Sequence, residues 1–460
     1  MHRSNWLHGA VAGLIVSACF LTGCPQPQGT GNGTGSNSNS AAGPGEKSGG
    51  AANAERAAEK ASKAPPRAAT AKVDDVNAAT ARLDALGAKA KYVLLTGGLL
   101  TEIVVQDGSG LTADDLALFG KLSDLEKLQI YNCRSLNDEM AAQLSGLKNL
   151  TSLALTNTVI NDPTVEMIVK SFPNLTDLDL SSNTNMTNGA LKVISELSQL
   201  QRLSLVQNQF NDLGTRRLPK LENLRSLDLR GNMEAGDMTL EVVSELPKLT
   251  GLKHRSTAVT DFGVEQLCRS KTLDSLLMQD FVITDQSGPH LAKLDKLTQL
   301  EIFRCQGFGT EGVLALKGMN LARLTLRDLP NVDDRALEVL ADLPKLRRLY
   351  LHEIASIGDN GLKNLASLTS LEVLDIWSVP QMTNATVEVI AKLPNLKELS
   401  IRSTGVTDAA VDTLRGMQSL QSLTFKENGE VTADALQKLA GRKWSKLDIG
   451  AADSSEPAAP

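Results

Sequence analysis

The chain has 460 residues, enough for two or three ordinary domains. Aromatic residues make up only 3% of it, so any core must be aliphatic. A net charge of −6, with no basic run, argues against nucleic acid as a partner.

The amino terminus carries the parts of an export signal over residues 1–23. Arg3 supplies a minimal positive region, and Leu7 to Phe20 is an apolar stretch too short to cross a membrane as a helix. Leu21-Thr22-Gly23-Cys24 follows. It resembles the lipobox of bacterial lipoproteins, in which the cysteine thiol is lipidated and the peptide is cut just before it. That resemblance implies a membrane anchor at Cys24. Val16-Ser17-Ala18-Cys19 fits the pattern loosely, but it would cut the apolar stretch short. Cys24 is followed by Pro25-Gln26 and is the better fit. An uncleaved signal anchor is the alternative. Pro25 in place of Asp resembles outer-membrane sorting in diderm bacteria.

Residues 24–72 read as a disordered tether. Gly, Ser, Asn, Thr and Pro dominate up to Gly50, and such a stretch cannot bury enough apolar surface to order itself. Pro65-Pro66 interrupts the Ala- and Lys-rich remainder. A flexible chain of about 45 residues reaches roughly 35–40 Å. Residues 73–99 read as a cap. Val76, Ala79, Leu83 and Leu86 recur at helical spacing within Val73 to Ala90, and Gly87 can end that helix. Gly97-Gly98 then joins two apolar runs, which is a hairpin signal.

From residue 100 to 450 one pattern, L-x-x-L-x-L, recurs. Its first positions include Leu125, Leu150, Leu175, Leu200, Leu224, Leu249 and Leu273, and the series continues to Leu420. Degenerate copies stand at Leu100 and Trp444. The intervals are 24 or 25 residues. Self-similarity at that period marks a leucine-rich repeat. The predicted fold is an α/β solenoid, a horseshoe with a parallel sheet on its concave face and short helices on its convex face. Residues 451–460 read as a disordered tail.

Within a repeat, the fourth and sixth positions share one face of a short strand and the third, fifth and seventh share the other. The ninth position holds Asn183, Asn208, Asn232 and Asn428, or Thr and Cys, and an asparagine there can satisfy backbone groups at the turn. Phe281, Leu329, Ile354 and Val379 break that series. Helix starts follow, such as Asn161-Asp162, Thr260-Asp261 and Thr284-Asp285, with a capping residue and an acid at the positive helix end. Val259-Thr260-Asp261-Phe262-Gly263-Val264 resembles the cysteine-containing class of leucine-rich repeats, found in F-box proteins and in bacterial envelope proteins. The resemblance covers about residues 76 to 450, and no F-box precedes it.

Cys133, Cys268 and Cys305 are far apart in repeat order, which predicts buried, unpaired thiols and no metal site. His254 takes a sixth position, where a partly buried neutral imidazole with one hydrogen bond is expected. Gly288 and Pro289 predict a weakened helix in mid-array. No G-x-S-x-G, P-loop, H-E-x-x-H or C-x-x-C occurs, so neither an enzyme nor a cofactor is predicted.

Function is left to the outward strand positions. They are small or acidic early, as at Ser152, Ala154, Asp177 and Asp179. Later they carry Phe303, Arg323, Arg327, Arg348, Tyr350, His352, Trp377 and Arg402. Aromatics among arginines have the composition of an interface hot spot. The sequence therefore predicts a membrane-tethered scaffold of the bacterial envelope that binds a protein there. Cell-wall or surface polysaccharide binding, or a purely structural role, is the alternative.

Overall fold

The computed structural model describes residues 69–450. The signal region, Cys24, most of the tether and the tail lie outside them.

Helix α1 (Val73–Leu86) buries Val76, Ala79 and Leu83, and Asp74 and Asp75 sit in its first turn. Gly87, at φ 60°, stops it. Residues 87–89 form a 3-10 turn where the sequence pattern extended the helix to Ala90. Ahead of α1 the chain is clasped. The Thr70 N–H and hydroxyl each donate to the buried Asp124 carboxylate at 2.6 Å, and the Ala71 N–H donates at 2.8 Å. This part of the compositional tether is therefore fastened to the first repeat.

Strands β1 (Ala90–Leu95) and β2 (Leu99–Val105) form an antiparallel hairpin. Its turn glycines, Gly97 and Gly98, have φ of 85° and 78°, a region open to glycine at little cost. The sheet continues through β3 (Lys127–Tyr131), β4 (Ser152–Thr156), β5 (Asp177–Asp179), β6 (Arg202–Ser204), β7 (Ser226–Asp228), β8 (Gly251–Arg255) and β9 (Ser275–Gln279). It ends with β10 (Gln299–Phe303), β11 (Arg323–Arg327), β12 (Arg348–His352), β13 (Val373–Val379), β14 (Glu398–Thr404), β15 (Ser422–Lys426) and β16 (Lys446–Gly450). Spatial order equals chain order, β2 onward is parallel, and the sheet stays open. This is an α/β leucine-rich repeat solenoid. Strands stack about 4.8 Å apart while helices need roughly 10 Å, so the sheet lines the concave side.

Register explains the core. Equivalent leucines align across strands, as Leu128 with Leu153 and Leu324 with Leu349, and the fourth and sixth positions are buried throughout the middle of the array. The ninth-position asparagines do close the turn. Asn183 Nδ2 donates to Leu155 O and Leu180 O, and its Oδ1 accepts from the Thr158 N–H across the repeat boundary. Phe281, Leu329, Ile354 and Val379 fill the same place as buried apolar residues.

A second device joins repeats at the helix starts. Asp237 accepts from the N–H and hydroxyl of Thr260, one repeat on, at 2.7 Å each, and from the Gly263 N–H at 3.1 Å. Asp261 accepts in the same way from Thr284, and Asp359 from Thr383. The acid is thus an inter-repeat staple as well as a charge at a helix end.

Most repeats turn through a left-handed residue at position eight, for example Asn132, Gln207, Arg304 and Glu353 at φ between 51° and 57°. Gly231 fills it once, at φ 83°. Ser256 holds that position without a positive φ, and His254 lies in the same repeat. His254 departs from the sequence reading: it is fully buried, with a carbonyl at each ring nitrogen. Nε2 is 2.8 Å from Ala235 O and Nδ1 is 3.3 Å from Leu229 O, with Phe281 edge-on at 5.5 Å. A neutral imidazole has one N–H, and we assign it to Nε2 on the shorter distance. Leu229 O already accepts from Asn232 Nδ2 at 2.9 Å. Burial pushes the His254 pKa down, against the two carbonyls.

The helix Ser287–Leu291 forms despite Gly288 and Pro289. A Cβ at Gly288 would come within 2.6 Å of Gly312 O, so the missing side chain lets the next repeat pack close. Cys133, Cys268 and Cys305 are buried and unpaired, and burial pushes the Cys268 and Cys305 thiols up to about 12. At the far end Trp444 donates to Leu439 O at 2.8 Å beneath the Arg442 guanidinium, beside a part-exposed β16.

Candidate functional site

Alternation sends the third, fifth and seventh residues of each repeat to the concave surface, where they form three columns. The parallel register lines up Phe303, Arg327, His352, Trp377 and Arg402 in the seventh-position column. All five are half-buried, because each leans on its neighbours.

The Arg327 guanidinium lies 4.4 Å from the Phe303 ring centroid and 5.2 Å from that of Trp377. Arg402 is also 5.2 Å from Trp377, and Arg304 covers Phe303 at 4.5 Å. Guanidinium and ring faces attract through the ring quadrupole, at about 0.5–2 kcal/mol per pair depending on exposure. Strand spacing alone puts Arg327 and Trp377 about 10 Å apart, yet their side chains meet across β12. His352 stands edge-on to both Trp377, at 5.8 Å, and Tyr350, at 6.0 Å. Arg323 sits 5.9 Å from the Tyr350 ring.

Carboxylates fix these cations in place. Glu353 accepts from Arg327 Nε at 2.7 Å. Asp280 holds both Arg255 and Arg304; burial works to raise its carboxyl, and those two hydrogen-bonded guanidiniums outweigh burial and lower it. Burial likewise works to raise Asp375, and the neighbouring His352 imidazole and Arg402 guanidinium outweigh it. His352 Nε2 is 3.5 Å from Asp375 Oδ2, without hydrogen-bond geometry. Glu301 differs: burial pushes its pKa up, and Lys253, Arg323, Arg230 and Arg327 only partly offset that.

A shallow groove of about 260 Å³ opens on the same face in the amino-terminal half, among Gln129, Asp177, Asp179, Arg202, Ser204 and Lys253. Composition pointed away from this region. The signal was the set of small residues, Ser152, Ser204 and Ser226, between longer side chains. Among the described residues no His, Cys, Asp and Glu cluster has the geometry of a metal site, and no helix is long and apolar enough to cross a membrane.

No protein-family model and no curated protein matches the chain. Several solved structures resemble it. An internalin from Listeria monocytogenes is 20% identical, with 84% of this chain and 98% of that one covered and a TM-score of 0.47. Rad7 of the yeast Rad7–Elc1 complex is 18% identical, with coverages of 86% and 94% and a TM-score of 0.47. A TLR13–ssRNA13 complex is 17% identical, with coverages of 73% and 61% and a TM-score of 0.41. At these scores the likenesses speak to neither ligand nor function. On its own repeat geometry, the chain is a leucine-rich repeat protein.

Proposed function

We propose that this protein is a scaffold of the bacterial cell envelope, tethered to a membrane by a lipid on Cys24, that binds a protein through the carboxy-terminal half of its concave face. The observation that carries the reading is the stack Phe303–Arg327–Trp377–Arg402. Carboxylates hold its arginines in place, and pre-ordered aromatic and arginine side chains lose little entropy on binding. Polysaccharide binding is the second reading, with Tyr350 and Trp377 as stacking platforms. The two guanidiniums within 5.2 Å of the Trp377 centroid occupy space a sugar ring would need, which favours protein.

The test compares three proteins in cross-linking and pull-down from native envelope. Trp377→Ala with Arg327→Ala should weaken the captured partner by at least about 2 kcal/mol, the scale of a hot spot. Asp177→Ala with Asp179→Ala should matter less. A damaging acidic pair beside an innocuous Trp377 and Arg327 pair would move the site to the groove. Binding on a glycan array that Trp377→Ala abolishes would favour the polysaccharide reading instead.

A further inference from the structure

Three exposed apolar side chains stand in one file among the helices, off the concave face. Leu213, Met238 and Phe262 are 63%, 56% and 56% exposed. Each is the second residue of its helix, in Asp212–Thr215, Asp237–Ser244 and Asp261–Leu267. The same position carries Glu139, Arg335 and Asn360 in other repeats, so the fold does not require an apolar residue there. Exposed apolar residues that adjoin one another over successive repeats mark a contact surface.

The charges beside the file form a pattern that identifies what covers it. Its four repeats begin with Gly189 and continue with Leu213, Met238 and Phe262. Three residues on, at the neighbouring place on the helix surface, these repeats carry Lys192, Arg216, Glu241 and Glu265. Seven residues on they carry Glu196, Lys220, Glu245 and Arg269. Glu241 is half-buried and the other seven are exposed. None of the eight side chains makes an ion pair or hydrogen bond among the described residues. Along the array the first series runs plus, plus, minus, minus, and the second runs minus, plus, minus, plus. Each series, reversed, is its own complement.

We infer that this flank is the interface of a two-fold dimer, in which a second copy of the chain lies face to face with the first and its array runs the opposite way. The axis passes between the helices that carry Leu213 and Met238. Those two side chains then meet across it, and Phe262 lies over Gly189 of the second copy. Arg216 faces Glu241 of the second copy, and Lys192 faces Glu265. In the outer series Lys220 faces Glu245, and Glu196 faces Arg269. One self-complementary patch thus serves both sides, and each pair occurs twice. Arg217 and Glu234 face Val242 and Gln209, so neither meets a like charge. Asp212 and Asp237 also approach across the axis, but both are committed to staple bonds within their own chain. The pattern ends at these four repeats, with Met167 and Ser171 at the equivalent places on one side and Pro289 and Lys293 on the other. Four repeats at about 10 Å each, about 15–20 Å across, cover roughly 600–800 Å² per copy, close to a standard interface. The concave columns stay open to another partner.

The test is sedimentation velocity on the full chain in mild detergent over roughly 1–100 μM, where an interface of this size can be weak enough to dissociate. Wild type should dimerise, and added salt should weaken the dimer. Arg216→Glu and Glu241→Arg should each weaken self-association at least about tenfold, by setting like charges face to face. Mixed together, with one of them fluorescently labelled, the two variants should form a heterodimer about as tight as wild type, because each reversed residue then meets its opposite. Met238→Ser should weaken the dimer as well. The melting temperatures of all three variants should match that of wild type under monomeric conditions, since these side chains do not hold the fold. A wild type that stays monomeric throughout, a dimer indifferent to both charge reversals, or a mixture of the two variants that stays monomeric overturns the inference. A dimer dissolved by Trp377→Ala with Arg327→Ala, and not by these variants, also overturns it and moves the contact to the concave face.

Discussion

At the residue scale, His254 couples stability to pH, although no solvent reaches it. Burial holds its folded pKa below the unfolded value of about 6.5. As pH falls through 6.5 the unfolded chain takes up a proton that the folded chain refuses. Stability contributed by the neutral ring is therefore complete above that pH and declines below it, by at most about 1.4 kcal/mol per pH unit for one proton. His254→Leu restores the residue type found at sixth positions in other repeats and removes the titration. Urea midpoints at pH 7.5 and 5.5 should differ more for wild type than for His254→Leu. Equal differences would assign the acid sensitivity to other groups.

At the scale of the element, the short helices owe their placement to the preceding repeat. Removing the Asp237 carboxylate leaves the Thr260 N–H, the Thr260 hydroxyl and the Gly263 N–H without their acceptor. Asp237→Ala should cost about 0.5–1.5 kcal/mol in a denaturant titration, the net worth of ordinary hydrogen bonds, since the Thr260 donors are exposed and can turn to water while the Gly263 N–H is part-buried. Asp114 is also an acid in a helix first turn, but it is exposed and makes no such bonds. Asp114→Ala should stay within about 0.5 kcal/mol. Equal losses would reduce the acid to its effect on the helix dipole. The sequence made Thr-Asp legible as a helix start, because capping is a local pattern. It hid the staple, because the bonded groups lie 23 to 27 residues apart and meet only in the stack. Position eight was hidden for another reason. Its left-handed backbone is filled by Asn, Ser, Gln, Asp, Arg, Glu and Gly, polar or small residues without β-branching that would suit any exposed loop position equally well.

At the scale of the whole molecule, period and alternation were enough to give strand order, register and core, since parallel stacking repeats one decision. They were also enough to send Trp377 and Arg327 to the concave surface. They could not show that the two side chains touch, because reach across a strand depends on rotamers and not on spacing. Nor could they show the groove, which is a matter of relative side-chain length between columns. The proposed placement in the envelope rests on the first two dozen residues of the sequence. Cys24→Ser should move the protein from the membrane fraction to the soluble fraction, or stall its processing. Equal incorporation of labelled fatty acid by Cys24→Ser and wild type would end the lipoprotein proposal.

The clasp of Thr70 and Ala71 on Asp124 has a mechanical consequence. Asp124 belongs to the turn that leads into β3, beyond α1 and the hairpin in the chain. Tension arriving along the chain from the amino-terminal side therefore passes into the first repeat through a carboxylate holding three hydrogen bonds, before any of it stretches α1. The cap hangs slack behind that point as long as the clasp holds. Once it gives, load falls on an edge hairpin that can peel from the sheet one strand at a time, a geometry that yields at low force. The clasp on Asp124, with Ser123 beside it, thus sets the load at which the array begins to unravel from its amino-terminal end.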